Sequence, residues 1–116
     1  MRFAVLIYGD EDIWDGWDDA QGEANSAAHG RFAQVAGDAI VGGAELSRTR
    51  EAVAIRTDAD GHQVSGPGRM SDGTVALGGY YVLECDSLED AVALAAQLPE
   101  ASAPGSGVEV RPLVMG

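Results

Sequence analysis

Residues 75–99 read VALGGYYVLECDSLEDAVALAAQLP and carry the two clearest secondary-structure patterns in the chain. Residues 75–85 are apolar with β-branched and aromatic members, which predicts a long strand. Asp86 or Ser87 is the predicted N-cap of the helix that follows, and Pro99 ends that helix. Its apolar stripe recurs every three or four positions and consists of Leu88, Ala91, Val92, Ala95 and Leu98.

The N-terminal part of the chain repeats this order of strand and helix. Residues 3–8, FAVLIY, form a continuous apolar run that is typical of a buried central strand. An acidic segment follows, and Asp18 or Asp19 is the predicted cap of a helix that runs to about Gly37. The apolar face of this helix is weak because it is mostly alanine: Ala24, Ala28, Phe32 and Val35.

Two further strands are predicted from apolar runs that contain strand-breaking residues. Residues 39–46, AIVGGAEL, include Gly42 and Gly43, which indicate a bulge or a close backbone approach. Residues 108–115, VEVRPLVM, include Pro112. Because proline cannot donate a hydrogen bond to a neighbouring strand, Pro112 favours a sheet edge or a strand end.

A hairpin is predicted in the middle of the chain. Residues 52–57, AVAIRT, alternate as a strand, and the turn DADG at 58–61 sends the chain back through residues 62–65. Residues 65–68, SGPG, follow at once, and Ser65 is interpreted as a turn residue rather than a reactive hydroxyl.

The order of these elements predicts an α+β fold for residues 1–116 as a single domain. A four-stranded antiparallel sheet with two helices on one face satisfies it, which is the ferredoxin-like split β-α-β arrangement. Such a sheet leaves its other face bare, although the strands carry apolar side chains on both sides. A twofold homodimer is the commonest way to cover such a face.

Composition and charge exclude several classes of function. The net charge of −12, from 19 acidic and 7 basic residues, lacks the basic footprint of nucleic-acid binding and disfavours anionic membrane surfaces. The single cysteine, Cys85, cannot form an intrachain disulfide, and the first apolar run is too short to span a membrane. We therefore expect a cytoplasmic protein. No glycine-rich phosphate loop and no zinc spacing occurs, so no metal or cofactor is predicted.

Six motifs occur in order over residues 3–112: LIYGDE, AHGRF, GGAEL, LGGYYVLE, LEDAVALAAQLP and GVEVRP. Together they resemble YCII-related proteins, and among these the subgroup named for its Asp-Gly-Pro-Phe signature. The resemblance implies a dimeric α+β barrel of two ferredoxin-like subunits, with a pocket near the subunit interface. Residues 65–68 stand where that subgroup has its signature, so Ser65 replaces the aspartate and Gly68 the phenylalanine.

His29 is the main candidate for chemistry. The resemblance matches it to a first-helix histidine that is proposed to work with an aspartate, and imidazole transfers protons near neutral pH. On a helical wheel His29 lies about a quarter turn from the Ala28–Phe32 centre, on the flank of the helix. Because the signature aspartate is replaced, we expect Asp10 to be its carboxylate partner, although Asp10 is also a plausible solvated turn acid.

Four residues are predicted to bind a small-molecule ligand: Tyr8, Ser65, Tyr81 and Arg111. Strand tyrosines often belong to a core instead, and Arg111 is close enough in sequence to pair with Glu109. Trp14 and Trp17 are unusual on an acidic loop, and either the pocket or the dimer interface would explain them. His62 is expected to be exposed in the hairpin turn, and Cys85 to be a buried small residue.

Two functions of different classes follow. The first is a small enzyme in which His29 performs acid/base chemistry on a small metabolite in a dimer-interface pocket; the wider family includes a protein similar to a dehydrochlorinase. The second is a non-catalytic metabolite-binding or regulatory dimer, because the resemblance also connects the subgroup with sigma-factor regulation. Retention of His29 favours the first function, and loss of the signature aspartate favours the second.

Overall fold

The computed structural model describes residues 1–114. Within that range it contains a four-stranded sheet, a separate hairpin and three α-helices, none of them long and apolar enough to cross a membrane. The strands are β1 (Arg2–Asp10), β2 (Ile40–Glu45), β3 (Val53–Thr57), β4 (Gln63–Pro67), β5 (Val75–Glu84) and β6 (Gly107–Pro112). The helices are α1 (Glu11–Asp15), α2 (Asp19–Ala36) and α3 (Leu88–Ala95).

The main sheet has the strand order β2-β5-β1-β6, and all of its neighbours are antiparallel. Each of the two central strands leads into a helix that packs on the core. β1 leads through the short helix α1 into α2, and β5 leads into α3. This arrangement confirms the predicted α+β class and the split β-α-β order. β6 lies at an edge and ends at Pro112, as the proline indicated; residue 115 of the predicted last strand lies outside the described range.

The core lies between the sheet and the helices. Every second residue of β1, beginning with Phe3 and Val5, is buried, as expected for a strand with one face against a core. Burying one such side chain completely stabilises the fold by about 1.5–3 kcal/mol. The central cluster is formed by Val5, Ile7, Phe32, Ala36, Leu83, Ala95 and Leu98.

The helix ends resolve the alternatives that the sequence left open. Asp18, rather than Asp19, caps α2: its side chain accepts from Gln21 N at 2.8 Å, and Gln21 Oε1 accepts from Asp18 N at 3.0 Å. This reciprocal pair satisfies backbone N–H groups that have no partner within the helix. Gly37 ends α2 with a φ of +54°, and Ser87 caps α3.

The inner face of α2 differs from the predicted one. Ala24 and Val35 were assigned to it, and both are exposed. The face is rotated toward polar residues and consists of Asn25, His29, Phe32 and Ala36. Alanine-rich helices give little hydrophobic contrast, and polar side chains can be buried when they are hydrogen-bonded. His29 therefore lies near the centre of the inner face and not on its flank.

One of the two glycines of β2, Gly43, serves a close backbone approach, as predicted. Gly43 has a φ of +147°, and a Cβ at this position would lie 2.5 Å from Tyr80 O of the neighbouring strand. The register of β2 against β5 also shifts between Ile40 and Gly42, which is the predicted bulge.

The hairpin of β3 and β4 is separate from the main sheet. The chain reverses at Asp58–Gly61, where Gly61 N donates to Asp58 O at 3.1 Å. The prediction that Ser65 lies in a turn is wrong: Ser65 is an extended residue of β4, opposite Ile55. Because the reversal is complete at residue 61, the Ser-Gly-Pro segment continues the strand.

Two apolar surfaces are left uncovered in the single chain. One is the sheet face opposite the helices, which carries the half-buried side chains of Ala4, Leu6, Tyr8, Tyr80 and Val82. The other is the hairpin, where Val53 is 68% exposed and Ile55 is 61% exposed. The radius of gyration is 16.1 Å, whereas a compact domain of this length has about 13 Å.

Candidate functional site

A cavity of about 490 Å³ lies between α1, α2 and the β2–β5 side of the main sheet. This size suits a small metabolite, since ligand pockets commonly hold roughly 300–1,000 Å³. The wall combines aromatic surface with a few polar groups, mainly Trp14, Trp17, His29, Arg48, Tyr81 and Glu100.

His29 lies in the cavity with both ring nitrogens hydrogen-bonded. Nδ1 is 2.8 Å from the Tyr81 hydroxyl, and Nε2 is 2.9 and 3.0 Å from the two carboxylate oxygens of Glu100. The His29 side chain is 24% exposed, whereas the Glu100 side chain is only 7% exposed. The histidine thus joins a buried carboxylate to a phenol.

The carboxylate of Glu100 is positioned by two elements that are distant in sequence. Glu100 lies in a short 3₁₀ helix of one turn, Pro99–Ala101, which begins at the proline that was predicted to end α3. Asn25 and His29 are one helical turn apart on α2, so both reach the same carboxylate; Asn25 Nδ2 donates to Glu100 Oε2 at 2.9 Å. These contacts tie α2 to the turn.

Glu100 is ionised in spite of its burial. Removal from water by itself raises the pKa of its carboxyl group, but the hydrogen bonds from His29 and Asn25 outweigh this effect and lower the pKa below its usual range. One oxygen, Oε1, lies in a geometry that gives it no hydrogen-bond partner among the described residues. The site therefore holds a fixed, buried negative charge.

The partners of His29 determine where its protons lie. A carboxylate can only accept, so Nε2 carries a proton toward Glu100, and in the neutral imidazole Nδ1 accepts from the Tyr81 O–H. Burial, followed by the charge of Glu100, raises the pKa of Tyr81, so this phenol stays protonated at neutral pH. Its ring is held against Phe32 at a centroid distance of 4.9 Å.

The carboxylate beside His29 is Glu100 and not Asp10, which the sequence assigned to this contact. Asp10 instead caps α1, where its side chain accepts from Asp12 N at 2.9 Å. A strand-end acid followed by a helix is drawn to the free N–H groups of that helix, and α1 was not predicted. The sequence does contain one signal of this contact: Asn25 and His29 are four residues apart, so both lie on one helix face and can reach the same acceptor.

The four residues predicted to bind a ligand are distributed over three places. Tyr81 lines the cavity with His29. Tyr8 and Arg111 lie on the opposite, uncovered sheet face, since they pair in register with Gly107 and Ala4, and Arg111 Nε is 3.6 Å from Glu109 Oε2. Ser65 borders a smaller depression on the hairpin.

The remaining residues singled out in the sequence have simpler environments. Trp14 and Trp17 line the cavity, which was one of their two predicted roles. His62 is exposed, and with Asp58 and Asp60 it forms a group whose ligand atoms lie within 4.8 Å of one another on the hairpin turn. Cys85 is half-buried, and burial together with the adjacent carboxylates raises the pKa of its thiol.

Two comparisons relate this chain to known proteins. The uncharacterized protein R00369 of Rhizobium meliloti (strain 1021) is 29% identical over 119 residues, which cover 99% of this chain and 94% of that protein. The family model described as the YCII-related domain matches residues 1–115. Since this match spans almost the whole sequence, the chain belongs to the family of YCII-related domain proteins.

Proposed function

We propose that this YCII-related protein is a small enzyme that performs acid/base chemistry on a small metabolite in the cavity. The observation that carries the proposal is the hydrogen-bonded chain from Glu100 through His29 to Tyr81. A buried carboxylate that orients an imidazole, which in turn contacts a hydroxyl group, is an arrangement suited to proton transfer.

Tyr81 is the group that exchanges a proton with the ligand. Both nitrogens of His29 already have partners, whereas the Tyr81 oxygen keeps a lone pair free and borders the cavity. When the phenol takes a proton from the ligand, it passes its own to His29 Nδ1, and Glu100 stabilises the imidazolium. The raised pKa of Tyr81 means that a free phenolate does not accumulate, so the two transfers are coupled.

The test is a search for turnover with matched histidine variants. The protein is incubated with pools of small metabolites in D₂O, and new products or deuterium incorporation are followed by mass spectrometry. We expect turnover to fall at least about 100-fold in His29→Ala and Tyr81→Phe, the usual contribution of a general acid or base. His62→Ala is the control, because His62 is 78% exposed and distant from the cavity. Equal rates in all of these variants contradict the proposal.

A second candidate is a non-catalytic metabolite-binding or regulatory dimer, of the kind connected with sigma-factor regulation in the Asp-Gly-Pro-Phe subgroup. It is supported by Ser65, which lacks the carboxylate that the subgroup signature has at this position. The two functions differ in one variant: His29→Ala abolishes turnover under the first, but leaves the binding of a metabolite or protein partner nearly unchanged under the second.

Under either function we propose a homodimer built as an α+β barrel. The support is the uncovered sheet face, whose apolar side chains include Leu6 and Val82, and the projecting hairpin. Association through this face removes apolar surface from water, which is the main driving force of obligate dimers. Sedimentation equilibrium measures the mass directly, and a monomer at micromolar concentration contradicts this assignment.

A further inference from the structure

Trp14 is a fixed wall of the cavity because two glycines make room for it. The indole lies against the backbone of β1 and β5, and a Cβ at Gly78 would be 2.5 Å from Trp14 Cη2. A Cβ at Gly9 would collide with the same ring. Any larger residue at either position has to displace the indole, so the sheet itself sets the position of Trp14.

Arg48 is held on this wall with its outer nitrogens free. Its guanidinium carbon lies 5.1 Å from the centroid of a Trp14 ring, and its Nε donates to Asp15 Oδ1 at 2.9 Å. The side chain is 28% exposed and borders the cavity. Within residues 1–114, neither Nη1 nor Nη2 has a hydrogen-bond partner. Stacking and the Asp15 contact thus leave a preorganised pair of donors.

Arg48 is one of two guanidinium groups that share a single carboxylate beside the cavity. Asp15 is shared with Arg50, whose Nη1 is 3.4 Å from Asp15 Oδ2, so two guanidinium groups face one carboxylate. The nearby Glu11 is occupied by the backbone and hydroxyl groups of Thr49. Glu45 is the exposed acid on the cavity wall, and its charge is weakened by solvent.

The two sides of the cavity therefore offer different partners. Arg48 presents a planar fork of donors, which matches the two oxygens of a carboxylate. Tyr81, which is hydrogen-bonded to His29 and through it to the buried Glu100, presents a proton acceptor. A ligand that satisfies both groups has an anionic end and a proton-bearing end.

We infer that the cavity binds a small carboxylate, with its carboxylate group on the Nη nitrogens of Arg48 and its reacting end at Tyr81. This inference rests on the proposed function for the reacting end, but the Arg48 contact is independent of any turnover. Arg48 is a binding residue in this assignment and takes no part in proton transfer.

The chain contains a built-in reporter of occupancy, since both of its tryptophans, Trp14 and Trp17, line the cavity. Quenching of intrinsic fluorescence is measured with benzoate and butyrate, and with benzamide as the uncharged analogue of benzoate. We expect at least one of the carboxylates to bind with a dissociation constant on the order of 1 mM. Benzamide is expected to bind at least about ten-fold more weakly than benzoate, because it cannot form the charged bidentate pair.

Variants separate the Arg48 contact from general effects. Arg48→Gln is expected to weaken carboxylate binding at least about ten-fold, and Arg48→Lys to restore only part of it because an ammonium group lacks the planar fork. Arg111→Gln is the control, since Arg111 lies on the opposite sheet face. Thermal unfolding of each variant verifies folding, and Arg48→Lys retains a positive charge beside Asp15.

The possible outcomes distinguish this inference from the proposed enzyme. Carboxylate binding that depends on Arg48 and persists in Tyr81→Phe supports the inference, even if no metabolite is ever turned over. No quenching by either carboxylate up to about 50 mM, equal binding of benzoate and benzamide, or full affinity in a folded Arg48→Gln variant overturns it. None of these three results affects the Glu100–His29–Tyr81 chain.

Discussion

Replacement of His29 by leucine tests whether the buried carboxylate depends on the imidazole. Leucine has a similar volume and fills the same place on α2, but it cannot donate to Glu100 or contact the Tyr81 hydroxyl. Glu100, which is 5% exposed, would keep only Asn25 as a donor. The variant therefore leaves a buried charge with about half of its partners.

The expected loss follows from these contacts. A hydrogen bond to a charged group contributes about 1.5–3 kcal/mol, and breaking a fully buried ion pair costs about 3–5 kcal/mol. Because His29 is 24% exposed, water can partly replace it, and the lower part of this range applies. We expect His29→Leu to lower the free energy of unfolding by about 2–3 kcal/mol at pH 7.

The loss is expected to depend on pH with a definite sign. In the wild type the pKa of Glu100 is lowered below its unfolded value, so its contribution is present above about pH 4.3 and is lost as the pH falls through the folded pKa. In His29→Leu, burial raises the pKa of Glu100, and the penalty disappears once the carboxyl is protonated. The difference between the two proteins is therefore largest at neutral pH and shrinks below about pH 4.

Urea unfolding, followed by circular dichroism at pH 7 and near pH 3.5, measures this difference at one fixed protein concentration. His62→Leu is the matched control and should change stability by less than about 0.5 kcal/mol, since His62 is exposed on a hairpin turn. The reasoning is refuted if His29→Leu is no more destabilising than the control at pH 7, or if its effect is the same at both pH values.

Three other predictions concern packing, assembly and the thiol. Gly78→Ala should lower the free energy of unfolding by about 1–3 kcal/mol and shift the tryptophan emission, because the new Cβ displaces Trp14. Gly30→Ala is the control: its Cβ meets nothing within 4 Å, and it should stabilise α2 by about 0.5–1 kcal/mol. Equal effects of the two changes would contradict the account of Trp14. Leu6→Glu should dissociate the proposed dimer in sedimentation experiments, and a dimer of unchanged affinity would place the interface elsewhere. Cys85 should react with an aromatic disulfide reagent at pH 7 about ten-fold more slowly than free cysteine, since burial raises its pKa, and reaction at the free-cysteine rate would disprove this.

Local patterns were sufficient for most of the fold. The strand after residue 75, the helix that follows it and the close approach at Gly43 were predicted, and Asp18 and Ser87 were each one of two predicted caps, because these features depend on residues that are near one another in sequence. The helix ends at Ala95 rather than at Pro99, and Leu88 and Val92 of its predicted apolar stripe are exposed. The short helix α1 was missed. Its residues are mostly acidic and it spans less than two turns, so it leaves no periodic apolar pattern.

The sequence by itself determined the α+β class and the family resemblance and made His29 a candidate, since these follow from local periodicity and from motifs that are continuous in the chain. Only the tertiary structure decided which residues surround His29. Glu100 is 71 residues away in sequence and Tyr81 is 52 away, so no spacing rule connects them. Docking of α2 on β5 and on the turn after α3 brings the three groups together, and the burial of Asn25 and His29 is possible because Glu100 satisfies both of them.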